Sequence, residues 1–228
     1  MPGIYRTIVL ALLAVQPIST QPSDQHVLGG SERDMIHVHD SLANAQIIPT
    51  VIDDFTPVFG LEASWESDAA SLGNTLDPSK LQSSPTVRLE NAESDSNSIP
   101  QNAAQMTYVL ALTDPDAPSR DNPKWAEFCH WVATGIQIPS KSGISSLHLQ
   151  DIVEYKPPGP PPKTGKHRYV FLVFAPANGT TDGLNLTTPK ERKHWGSDHE
   201  GHGVRNWAHD NGLVPVAANF IYAQNDEQ

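Results

Sequence analysis

The stretch that most constrains this chain is "RYVFLVFA", residues 168–175. After Arg168 it has no polar break, and it is rich in aromatic and β-branched side chains. A strand of this kind is covered on both faces. The fold must therefore place protein on each side of a sheet that runs through residues 168–175.

Other segments supply partners for it. "VFGLEASWE" puts Phe59, Leu61, Ala63 and Trp65 on one face at a period of two, the pattern of a half-buried strand. "TVRLE" at 86–90, Met106 to Thr113, "CHWVATGIQI" at 129–138 and a closing "VPVAANFIYAQ" add further strands. With 20 prolines and 15 glycines, the chain favours strands and loops over a helical bundle. Helices are expected in three short places. One lies at about 40–47, ending before Pro49. A second follows the capping box Thr188-Pro189-Lys190-Glu191. The third covers 204–211, with Val204, Trp207 and Ala208 on one face and Gly212 as its stop. The fold class is mainly β with short C-terminal helices, α+β. Its sheet should be antiparallel or mixed, because helices do not alternate with strands.

Charge narrows the partners. The net charge of −11 argues against nucleic acid, which needs a clustered cationic face. Any anionic ligand then needs a local positive site. At the N-terminus, Arg6 precedes the apolar core Ile8 to Val15, and small residues follow at Ser19 and Thr20. This reads as a secretory signal peptide over 1–20, the alternative being a short membrane-associated N-terminus. Residues 21–44 read as a flexible lead-in. Two sequons, Asn178-Gly179-Thr180 and Asn185-Leu186-Thr187, agree with a secreted or vacuolar route and mark glycosylation sites. The single cysteine, Cys129, excludes an intrachain disulfide and suits a small buried side chain.

Two stretches could carry chemistry. "TDPDAPSRDNPKWAEFCHW", 113–131, is too long and too rigid for a plain hairpin turn. "YKPPGPPPKTGKHRY", 155–169, holds five prolines and delivers His167 and Arg168 to the start of the apolar strand. Lys163, Lys166 and Arg168 form a positive patch in an acidic chain. Asp116 and Arg168 have the chemistry to pair and fix the two loops. No serine sits in an elbow motif, so no hydrolytic triad is apparent. His199 and His202 have a ligand-like spacing but read better as loop residues, and no metal or other cofactor is expected.

These two stretches resemble the phosphatidylethanolamine-binding protein family, which includes Raf kinase inhibitor proteins and carboxypeptidase Y inhibitors. The resemblance rests on Asp114-Pro115-Asp116-Ala117-Pro118-Ser119-Arg120 with Pro123 and His130, then on Gly165-Lys166-His167-Arg168-Tyr169. It covers about residues 45–226 as one domain. It implies a large central β-sheet flanked by a smaller one. It also implies a small anion pocket of Asp114, His130, Pro161, Pro162, His167 and Tyr169, with Tyr222 at its edge. Asp116, Pro118, Ser119, Arg120, Gly165 and Arg168 would be structural.

Two imidazoles and a phenol can donate to phosphate or carboxylate oxygens. Asp114 beside them would raise a histidine pKa and keep it protonated. The function implied is a secreted module that binds a small anion or phospholipid head group and inhibits a hydrolase such as a serine carboxypeptidase. The alternative is an enzyme, or enzyme partner, in a fungal secondary-metabolite pathway such as the dimerisation of anhydride precursors to maleidrides. In that case His130 and His167 would be acid–base groups.

Overall fold

The structure is a computed structural model that describes residues 30–91, 102–136, 138, 149–199 and 202–228. The signal peptide expected over 1–20 and the first part of the lead-in lie outside the described residues.

The described elements run α1 (Gly30–Asn44), β1 (Phe59–Ser64), β2 (Asn74–Thr75), β3 (Thr86–Asn91), β4 (Tyr108–Asp114) and β5 (Phe128–Ile136). They continue with β6 (Gln150–Val153), β7 (His167–Pro176), α2 (Val204–Asp210) and β8 (Leu213–Ala223). A two-stranded sheet pairs β1 with β3. A six-stranded sheet has the order β2-β8-β7-β4-β5-β6. Within it only the β2–β8 pair is parallel, so the sheet is mixed.

β7 lies inside the large sheet and is buried at all ten positions. Its side chains alternate. Tyr169, Phe171 and Val173 face one core, which they share with Leu61, Val87 and Leu89 of the small sheet. Val170, Leu172 and Phe174 face a second core, closed by Leu42, Ile47, Trp195 and Trp207. Each large apolar side chain placed this way contributes about 1.5–3 kcal/mol. The small sheet covers one face of the large sheet, and helical and loop segments cover the other.

Three local expectations change. The lead-in expected to be flexible up to residue 44, with a helix over 40–47, is instead helical from Gly30 to Asn44. Val38 and Leu42, one helical turn apart, face the second core. That tertiary contact stabilises a segment whose composition looks soluble and mixed. The helix ends at Asn44, and Gln46 just beyond it turns the chain at φ 55°.

The capping box at Thr188 starts no helix. The segment after it is held against β5 instead. Arg192 donates to the carbonyls of Cys129, His130 and Glu154, and its own carbonyl accepts from the Cys129 N–H. Finally, β6 was not anticipated. It is a four-residue edge strand with only partly buried side chains.

Candidate functional site

Three adjacent strands bring their ends to one place. Asp114 closes β4, Phe128 opens β5 and His167 opens β7. A cleft of about 290 Å³ lies there. Asp114, His130, Pro161, His167 and Tyr169 all line it.

The turn after β4 is set by Asp114 itself. One carboxylate oxygen accepts from the Asp116 N–H at 2.7 Å, an Asx-type turn that starts the long loop. Asp116 then holds Arg168. Its carboxylate accepts from the Arg168 backbone N–H, Nε and Nη2 at 2.8, 2.9 and 2.6 Å. Arg168 Nη1 donates to the carbonyls of Ala45 and Gln46. This buried fork ties the loop, β7 and the end of α1 together. Ala117 and Pro118 thereby reach the cleft wall. Ser119 accepts from the Asn122 N–H, and Arg120 donates to Gln46 Oε1, both away from the cleft.

His130 owes its direction to a β-bulge. Leu112 pairs with Trp131, but Thr113 pairs with Cys129, so His130 is an extra residue in β5. Trp131 faces the first core, and Cys129 and Val132 face the second. Strict alternation would send His130 toward the second core. The bulge re-aims it into the cleft.

Around His130 the floor is aromatic. The Tyr169 ring meets it edge-on at 5.1 Å, and the Phe128 ring lies 5.0 Å away. Tyr169 and His167, two residues apart on one strand face, stack at 6.4 Å.

The second wall is the proline loop. Lys156 to Gly159 and Pro161 line the cleft, whereas Pro162 does not. Gly165 takes φ 74°, the left-handed turn that returns the chain to β7. The C-terminal residues brace this loop, with the Lys163 N–H donating to the Glu227 carbonyl and Asn225 to that of Pro160.

Electrostatics differ from expectation in two ways. Lys163, Lys166 and Arg168 form no patch at the cleft. Lys163 lies 3.6 Å from Glu227, Lys166 donates to Thr75, and Arg168 is buried on Asp116. Among the described residues, Lys156 is the one lysine or arginine lining the cleft. Second, Asp114 does not hold His130 protonated. Burial dominates and pushes its pKa down to about 4, against the opposing pull of the Asp114 charge. Burial, with the Asp114 charge beside it, pushes the Tyr169 phenol well above its usual range, so it stays a neutral donor.

Asp114 is instead the partner of His167, with Oδ2 2.9 Å from Nδ1. The expected place for Tyr222 at the pocket edge is also corrected. Tyr222 pairs with Arg168 in the β7–β8 register, and its ring packs with Phe220 at the second core.

Sequence reasoning missed Trp125 and Phe128, aromatic residues at the cleft. Their signal was two aromatics within an otherwise polar loop. Lys193 Nζ lies 4.6 Å from the Trp125 ring, a cation–π contact at the rim.

A large mixed sheet, a smaller sheet beside it and this strand-end cleft define a class, and comparison with known proteins agrees. The model of the phosphatidylethanolamine-binding protein family matches residues 66–221. The chain belongs to that family. It is 34% identical to the carboxypeptidase Y inhibitor of Saccharomyces cerevisiae over 206 residues, covering 81% of this chain and 94% of the relative. It superposes on the crystal structure of a carboxypeptidase Y inhibitor complexed with its cognate proteinase. The TM-score is 0.72 at 31% identity, over 84% of this chain and 97% of that one. A phosphatidylethanolamine-binding protein from Plasmodium vivax, 21% identical, shares the fold at a TM-score of 0.60 over 82% and 97%.

Proposed function

We propose that this protein is a binding module that inhibits a carboxypeptidase and carries a small-anion cleft. The similarity to a carboxypeptidase Y inhibitor carries the first part, because it spans that relative almost end to end. The test is titration of carboxypeptidase Y with the purified protein. Inhibition should saturate near one equivalent. Full peptidase activity at high molar excess overturns the reading.

The cleft supports the second part. Asp114, His130, Pro161, His167 and Tyr169 gather around about 290 Å³ with a rim lysine, Lys156. The ligand class is a small oxyanion: a phosphate, a phospholipid head group or a carboxylate. Native mass spectrometry with phosphate, phosphoethanolamine and dicarboxylates should show binding that weakens in His130→Ala and His167→Ala. Equal affinity in both variants removes the assignment. The domain would take in residues 45–226 together with α1. A cleaved signal over 1–20 would send it into the secretory pathway. No observation on the fold or the relatives favours the metabolic-enzyme alternative.

A further inference from the structure

The anion-cleft reading, on which this inference rests, leaves a question of hydrogen-bond donors. Asp114 is an acceptor at the floor, already engaged by His167 Nδ1 and the Asp116 N–H. His167 Nε2 meets Thr164 Oγ1 at 3.0 Å, and the Thr164 hydroxyl donates to the Pro161 carbonyl at 2.7 Å. Both ring nitrogens of His167 are therefore occupied within the protein.

His130 Nδ1 lies 2.7 Å from the Lys156 carbonyl. A carbonyl only accepts, so Nδ1 carries the hydrogen, and in the neutral ring Nε2 is a bare acceptor. The Tyr169 hydroxyl, the remaining neutral donor among these floor residues, is itself hydrogen-bonded to the Asp114 side chain and the Gly159 backbone. The groups around His130 hold this state. Lys156 from the proline loop and Arg192 from the segment before Trp195 disfavour a second proton. Asp114 from β4 favours one, yet burial outweighs it. His167 and Tyr169 of β7 and Phe128 of β5 complete the surroundings. Arg192 cannot serve the ligand, because its guanidinium is spent on three carbonyls.

A bare oxyanion would thus press its lone pairs against His130 Nε2 and the Asp114 carboxylate. We propose that the cleft binds its oxyanion together with one proton, shared between a ligand oxygen and His130 Nε2. A phosphate monoester in its monoprotonated form brings that proton with it. A phosphodiester head group, which has none to offer, draws it from solvent. His130 is then the residue that sets specificity, as an acceptor toward a hydrogen-bearing oxyacid.

Calorimetry at pH 5 to 7, in two buffers of different ionisation enthalpy, tests this with two probes. One is glycerophosphoethanolamine, a soluble diester head group. The other is methyl phosphate, whose second ionisation falls near pH 6, about that of other phosphate monoesters. Diester affinity should rise about tenfold for each unit fall in pH, with one proton taken up. Methyl phosphate at pH 5 should take up none. The tighter probe at pH 5 identifies the source of the phosphate.

His130→Gln, whose amide donates without a proton, should flatten the diester slope. Thermal melting of the variant checks that it is folded, and the proton count on the unaltered protein is independent of it. Diester binding with no proton uptake, or an unchanged slope in the variant, overturns the inference while sparing the anion cleft. If the diester does not bind, methyl phosphate must weaken above about pH 6, and constant affinity there overturns the inference. If neither probe binds at any of these pH values, the anion-cleft reading fails first.

Discussion

Glu127 is buried just ahead of β5, beside the cleft but not in its lining. Its Oε2 accepts from Thr113 Oγ1 at 3.0 Å and from the Val204 N–H at 3.3 Å, and Trp195 Nε1 in turn donates to Thr113. Burial nonetheless pushes its pKa up to about 7, because desolvation outweighs these bonds. The folded protein therefore holds this proton more tightly than the unfolded chain. The resulting stability is fully present below about pH 4.5 and is lost as pH rises toward 7. Glu127→Gln should remove a pH-dependent component on the order of 3 kcal/mol across that window. Urea unfolding at pH 4.5 and 7.5 checks it, and the variant should show the flatter profile.

Its neighbour Gly203 is extended, so space rather than backbone strain requires glycine. A Cβ there would clash with the Glu127 carboxyl group. Gly203→Ala should cost about 1–3 kcal/mol in the same assay. Neither residue is legible in the sequence. A glutamate ahead of a strand reads as solvated, and only the packing of Trp195 and α2 encloses it.

Among the elements, the Asp116–Arg168 fork does the joining. It links the 114–128 loop, β7 and the end of α1. Asp116→Ala would leave a guanidinium buried without its counter-charge, a loss of about 3–5 kcal/mol that equilibrium unfolding would register. The strands were largely readable, since β1, β4, β5, β7 and β8 carry the apolar patterns that a sheet demands. So was α2, with Val204, Trp207 and Ala208 buried and Gly212 at φ 65° after it. The elements that escaped lacked that signature. α1 depends on a few contacts to the second core, and β6 is an edge strand. The Thr188 box was a genuine local motif overruled by Arg192, whose hydrogen bonds to three carbonyls hold the segment against β5.

Seen whole, the molecule separates its two ends. The cleft lies at the His167 end of β7, and Asn178 and Asn185 are exposed beyond its Pro176 end. Ten strand residues separate these poles by about 30 Å. Glycans on both sequons would therefore stand clear of the cleft. Enzymatic deglycosylation of protein from a secretory host should leave oxyanion affinity unchanged within about twofold, as calorimetry would show.

The chain by itself determined the sheet-rich class, the two rigid loops and the complementary charges of Asp116 and Arg168. Apolar periodicity, rigid prolines and complementary charges are local properties that a sequence carries. The tertiary structure alone decided which way His130 points, through a bulge visible only in strand pairing. It also decided that His130 is neutral, that Tyr222 belongs to the opposite face and that Glu127 is enclosed. Direction and burial depend on which distant segments come to cover a side chain, and no local pattern contains that information.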